Sequence, residues 1–170
     1  MKIVDFFDRI YVINLPYRKD RFASVSKELR AAGMPFSPGK VELFAAIKPA
    51  EPAGFPDIGW RGCFLSHLEV LKQAKKDGLK NVLIMEDDLL ISRRFKSNQE
   101  RLVDELLKSE WDFVYFGHIV DKIKNNDVKL ISYSDKILTT HCYGVNGAVF
   151  DSLIQYLEAY LAQVAVERPK

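Results

Sequence analysis

Four consecutive apolar residues, Val82-Leu83-Ile84-Met85, run without a break into three carboxylates, Glu86-Asp87-Asp88. A strand with no polar alternation has no face to offer water. Strands of that kind lie in parallel sheets whose two sides are covered by helices. The chain must therefore supply helices around this strand, and the carboxylates must emerge where the strand leaves the interior.

The remaining sequence supplies those helices. Ile10-Tyr11-Val12-Ile13 reads as a first strand, stopped by Pro16. From about Arg18 a helix follows, with Phe22, Val25, Leu29 and Ala32 on one stripe, closed by Gly33 and Pro35. Val41 to Ile47 suggests a second strand. Pro49, Pro52, Gly54, Pro56 and Gly59 then mark an irregular loop of the kind that more often carries function than not. A second helix is expected over Arg61 to Lys76, closed by Asp77-Gly78.

Beyond the carboxylates, Ser97-Asn98-Gln99-Glu100 has the form of a capping box opening a third helix. Trp111 to Phe116 reads as a strand. Residues 121 to 136 read as an exposed polar excursion with a short strand near Lys129 to Ser132. His141 to Phe150 contains another strand, and Asp151 is placed to cap a last helix bearing Leu153, Leu157, Leu161 and Val164. Strands alternating with helices define an α/β chain with a largely parallel sheet. At 170 residues one domain is expected, covering 1–170.

Charge and cysteine content narrow the function. Twenty-five Lys and Arg against 23 Asp and Glu leave a formal charge of +2, too balanced to point to nucleic acid. The N-terminus lacks the apolar run of a signal peptide, and no stretch reaches the roughly 18 apolar residues of a membrane span. Cys63 and Cys142 lack zinc-ribbon or C-x-x-C spacing and read as free thiols of a reducing cytoplasm. A basic cluster, Lys72, Lys75, Lys76 and Lys80, would suit peripheral contact with the inner face of a membrane; equally, it describes a solvated helix face.

Chemistry concentrates at three places. Clustered carboxylates repel one another unless a cation relieves them, and oxygen ligands suit Mg²⁺ or Mn²⁺. In open α/β sheets ligands bind beyond the carboxyl ends of strands, which is where Glu86, Asp87 and Asp88 fall. A cation there could hold a diphosphate as it departs. The same triplet would also serve as a solvated turn or a helix cap. Arg18 and Arg21, with Asp20, follow the first strand at Asn14-Leu15-Pro16, the other side of such a crevice, and arginine suits phosphate; a charged first turn is the plainer alternative. His67 shares a helix face with Phe64 and Leu71, as a histidine at the edge of a core also would. Ser66 and His67 diverge as neighbours on one helix, and His118 and His141 have no ligand spacing. No glycine-rich dinucleotide fingerprint or Walker loop is present.

Taken together, four segments resemble glycosyltransferase family 25, which includes lipopolysaccharide glycosyltransferases and collagen galactosyltransferase domains. Tyr11 to Arg21 is similar to the family's opening "INL...R..DR". Gly62-Cys63-Phe64-Leu65-Ser66-His67 is similar to its "GC..SH" helix. Val82 to Asp88 is similar to its "ILEDD" strand end, and Tyr143 to Phe150 to a fourth, weaker segment.

The resemblance implies a GT-A-like, Rossmann-like fold and a metal-dependent, inverting transfer of galactose or glucose from a UDP-sugar. The acceptor would be a saccharide or lipid-linked saccharide of lipopolysaccharide or another surface glycan. It also implies roles. Glu86 and Asp88 would hold Mn²⁺ or Mg²⁺. Asn14, Arg18, Asp20, Arg21, His67 and Asp87 would line the donor. The family pattern continues beyond Lys170, so the expectation is a C-terminally incomplete member whose catalytic base is not identified. Two other readings are a donor-binding module without turnover and a phosphoacceptor domain. The first strand ends without the acidic pair that a phosphoacceptor domain would place there.

Overall fold

The computed structural model describes residues 1–119 and 128–166. Five strands form one sheet in the order β2-β1-β3-β5-β4. They are β1 (Arg9–Asn14), β2 (Val41–Ala45), β3 (Asn81–Glu86), β4 (Phe113–Ile119) and β5 (Leu138–Asn146). β1 pairs in parallel with both β2 and β3, whereas β5 runs antiparallel to β3 and to β4. Four strands therefore point one way and only β5 is reversed. This is the mostly parallel α/β sheet of a Rossmann-like GT-A fold.

Helices cover both faces, as the apolar β3 requires. On one side α1 (Ile3–Phe6), α2 (Lys19–Ala31) and α4 (Arg93–Lys108) pack over Ile10, Val12, Leu83 and Met85. On the other, α3 (Ile58–Lys76) and α5 (Phe150–Val166) pack over Tyr11, Ile13, Val82 and Ile84. Successive residues of β1 and β3 thus enter opposite cores, and Val82, Leu83, Ile84 and Met85 are all buried. Phe7 is fully buried, with its ring edge-on to Phe6, Trp111 and Phe116. Gly144 of β5 lies beneath that ring. A Cβ there would come within 2.7 Å of Phe7, so only glycine lets this strand sit against the cluster.

Several boundaries differ from the sequence expectation. The third expected helix, α4, starts at Arg93, where the Ser92 hydroxyl accepts from Phe95 N. The Ser97 capping box does not open it. Instead Asn98 leaves helical geometry (φ −121°, ψ 15°) and donates its side-chain amide to Arg94 O, so the polar run marks a kink. Similarly, α3 begins at Ile58 rather than Arg61, because Asp57 accepts from the amides of Gly59 and Trp60.

At the last helix Asp151 lies inside the first turn. A 3-10 turn, Gly147–Val149, comes first, and Asn146 caps it by accepting from Ala148 N. Of the expected excursion, residues 121–127 lie outside the described residues. The short strand expected near Lys129 to Ser132 is not formed: Val128 and Leu130 pack against the core, and Leu130 N donates to Glu105. The four-residue α1 has no counterpart in the sequence reading.

Candidate functional site

The parallel register builds the site. Ile13 of β1 is aligned with Glu86 of β3, so the next residues along, Asn14 and Asp87, emerge side by side at the carboxyl edge. Asn14 Nδ2 donates to Asp87 Oδ2 at 2.7 Å, and both residues are buried. From the first turn of α2, Arg21 Nη1 reaches back to Asp87 Oδ1 at 2.9 Å and to Asp88 Oδ2 at 3.2 Å. Asp87 and Asp88 in turn hold the Arg21 guanidinium above its ordinary pKa. Both oxygens of Asp87 are thus occupied, while the Asp88 side chain is about half exposed (49%).

Glu86 belongs to a different set of neighbours. Its Oε1 accepts from Thr140 Oγ1 of β5 at 3.0 Å and stands 3.5 Å from His67 Nε2 of α3. The imidazole beside it outweighs burial and lowers the Glu86 pKa below the usual carboxylate range. The other ring nitrogen, His67 Nδ1, is 2.9 Å from the Tyr143 hydroxyl, and Tyr143 stacks in turn on Tyr115. Burial raises the Tyr143 phenol far above its ordinary range, so it stays protonated.

The "GC..SH" helix has a structural logic that residue types alone do not reveal. A Cβ on Gly62 would lie 2.6 Å from the Ile47 carbonyl, so glycine admits the 46–48 segment against α3. Ser66 fastens that contact, donating to Gly62 O and accepting from Ile47 N. Cys63 and His67, one turn apart, then face Glu86.

The result is a crevice of about 270 Å³ at the carboxyl ends of β1 and β3. Arg18, Arg21, His67, Glu86 and Asp87 line it, joined by Tyr17 and Lys48. Lys48 Nζ sits 5.0 Å from the Tyr17 ring centre, a cation over an exposed aromatic face. Asn14 stands behind Asp87 rather than on the crevice wall. Asp20 turns to Arg18, which grips it through Nε at 2.9 Å and Nη2 at 2.7 Å and draws its pKa down to about 2.

Seven of the eight expected site residues therefore join one connected network or line the crevice. Asp20 reaches it only through Arg18. The expected pair Glu86 and Asp88 point to different neighbours, Glu86 to His67 and Thr140, Asp88 to Arg21. Tyr143, Thr140, Lys48 and Ser66 were not expected at the site. Tyr143 lies in the fourth similar segment, which was the one usable signal.

A crevice lined by arginine and carboxylate at the carboxyl edge of a mostly parallel sheet lies where open α/β folds of the Rossmann-like, GT-A class receive a ligand. Residues 58–167 match the family described as glycosyltransferase family 25 (LPS biosynthesis protein). The chain belongs to glycosyltransferase family 25. It is similar to procollagen galactosyltransferase 2 of Homo sapiens, 25% identical over 84% of this chain and 26% of that protein. It is 27% identical to a glycosyltransferase 25 family member of Drosophila melanogaster over 77% of this chain and 24% of that one. It is also 29% identical to the inactive glycosyltransferase 25 family member 3 of Homo sapiens, over 65% and 22%. The chain thus spans about a quarter of the length of these curated relatives. Among the described residues no helix is long and apolar enough to cross a membrane.

Proposed function

We propose that this chain binds a UDP-hexose in the crevice and transfers the sugar, with inversion, to a saccharide or lipid-linked saccharide acceptor of a surface glycan such as lipopolysaccharide. One observation carries the reading: the β1–β3 register brings Asn14, Arg21 and Asp87 together where the crevice opens, with Arg18, Lys48 and Glu86 on its walls. The names of the relatives support hexosyl transfer. Within this reading the 170 residues act as one family 25 domain.

The carboxylates of Glu86 and Asp88 are oxygen donors of the kind a hard divalent ion takes, and to share one ion Asp88 would turn from Arg21 toward Glu86. Asp88 presents an accessible carboxylate and Glu86 a carboxylate kept anionic by His67. These two would hold Mn²⁺ or Mg²⁺, with water and diphosphate oxygens completing the shell. When bound, the ion would supply charge stabilisation for the departing diphosphate. Asp87 would not be a ligand, since Asn14 and Arg21 occupy it; it holds Arg21 in place. Arg18 and Lys48 would bear on the phosphates, and Tyr17 offers a face to the base. His67, on the crevice wall beside it, would fix the orientation of Glu86.

A lipid-linked acceptor would place the reaction at the inner membrane face. The basic cluster lends that little support. Lys72 pairs with Glu69 and Glu158, and Lys75 with Asp151, so half of it is matched within the chain.

The test is calorimetry with UDP-galactose and UDP-glucose, in Mn²⁺ and in EDTA. Binding that needs Mn²⁺ and is abolished by Asp88→Ala is expected. Equal affinity in EDTA would refute the metal-dependent reading. Relatives named inactive favour a second reading, a donor-binding module without turnover. Donor hydrolysis or transfer by the purified chain would exclude it.

A further inference from the structure

Cys63, His67 and Glu86 bring one sulfur, one nitrogen and one oxygen within 4.8 Å of each other. Among the described residues it is the only group of three or more such side chains gathered this closely. His67 is 7% exposed, and its Nε2 is buried without a hydrogen-bond partner. Its nearest polar neighbour is Glu86 Oε1, at a distance where the charges interact but no ordinary hydrogen bond forms, and a buried nitrogen left so is costly unless something fills the gap.

We propose that these three residues form a site for a thiophilic divalent cation of the Zn²⁺ class, one that shares Glu86 with the hard-cation site of the proposed function but does not use Asp88. The ligand set is the mixed sulfur, nitrogen and oxygen set that zinc accepts. The spacing agrees. With zinc–ligand bonds of about 2.1 Å to nitrogen and oxygen, a tetrahedral edge measures about 3.4 Å. His67 Nε2 and Glu86 Oε1 stand 3.5 Å apart, too far for a hydrogen bond and right for two ligands of one ion.

The outer shell is in place as well. His67 Nδ1 meets the Tyr143 hydroxyl at 2.9 Å, which fixes the ring with Nε2 toward the ion. Thr140 donates to the same Glu86 oxygen, Oε1, and fixes its position. An entry path exists, since Cys63 is exposed and Cys63 and His67 also line an adjoining cavity of about 710 Å³. Three protein ligands leave a fourth position for water or for an oxygen of whatever fills the crevice. Bound there, the ion would compete with a hard cation for Glu86 and would oppose Mn²⁺-supported donor binding.

The test titrates the full chain, kept reduced with a phosphine, with Cd²⁺ and then with Zn²⁺ in competition. A sulfur-to-cadmium charge-transfer band in the ultraviolet, reversed by Zn²⁺, is expected. Cys63→Ser should remove the band, and Tyr143→Phe should weaken binding about tenfold. Asp88→Asn should leave the band intact while losing Mn²⁺-dependent donor binding, which separates this site from the transferase reading. Absence of the band in the wild-type chain, or Zn²⁺ affinity unchanged in Cys63→Ser, overturns the proposal. Should Cys63→Ser fail to fold, Glu86→Gln takes its place, and unchanged Zn²⁺ affinity there overturns it equally. Cys142→Ala, at the only other thiol, should retain the band.

Discussion

Asn14 donates to Asp87 across the ends of two adjacent parallel strands, at 2.7 Å and out of water. The bond fixes which way the middle carboxylate of the triplet points. That in turn leaves Glu86 and Asp88 to face other partners.

Removing this donor leaves a buried carboxylate short of a partner. Asn14→Ala is expected to cost about 1.5–3 kcal/mol, the range for a hydrogen bond to a charged group. Urea unfolding followed by circular dichroism measures it. A loss within 0.5 kcal/mol, roughly that of an ordinary surface change, would mean Asp87 is adequately held by Arg21 alone.

Gly62→Ala drives a methyl group to within 2.6 Å of the Ile47 carbonyl. The 46–48 segment must shift off α3, at a cost of about 1–3 kcal/mol typical of overpacking. Lys48 and Ile47 move with it, so donor affinity should fall more than stability does. Thermal shift with and without UDP-galactose compares the two. Undiminished donor binding would show that this wall of the crevice is not used.

The Asp20 carboxyl should titrate at about 2, because Arg18 binds both its oxygens. Its folded pKa lies below the ordinary value of about 3.9, so the pair stabilises the fold above that value. The contribution fades as pH falls from there toward 2. Carbon-detected NMR titration reads the midpoint directly. In Arg18→Ala it should return to the ordinary carboxylate range.

Helix α4 offers a test of where it starts. Ser92→Ala removes the hydroxyl that accepts from Phe95 N and should cost about 1 kcal/mol. Ser97→Ala, inside the kinked segment, should stay within about 0.5 kcal/mol. The reverse ranking in chemical denaturation would place the helix start at Ser97.

Much of the sheet was legible because burial on both faces leaves a direct trace. Val82 to Met85 could hardly be anything but an inner strand, and the Gly33 and Asp77-Gly78 stops fell where expected. Helix starts were less legible. Ser92 and Ser97 both precede plausible first turns, and only packing of Phe95 and Gln99 decides between them. At the site, Arg21 and Asp87 could be named from position after a strand. Their pairing could not, since it depends on parallel register between β1 and β3. Tyr143 opens the fourth similar segment, but neither it nor Thr140 could be placed beside Glu86 and His67, because β5 is the reversed strand and nothing local in the sequence says that it lies next to β3. Ser66 stands in the Gly62 to His67 segment, but its partner, a backbone amide 19 residues away, has no side-chain signature.

Arg21 has a consequence that reaches past ligand binding. By lying against Asp87 and Asp88 it acts as an internal counter-ion, present from the moment the chain is made. The acidic strand end therefore needs no imported metal in order to fold. Chelation should leave the melting temperature of the protein unchanged. A lineage of this fold could also lose its chemistry and keep its shape, a route open to relatives that bear the word inactive in their names.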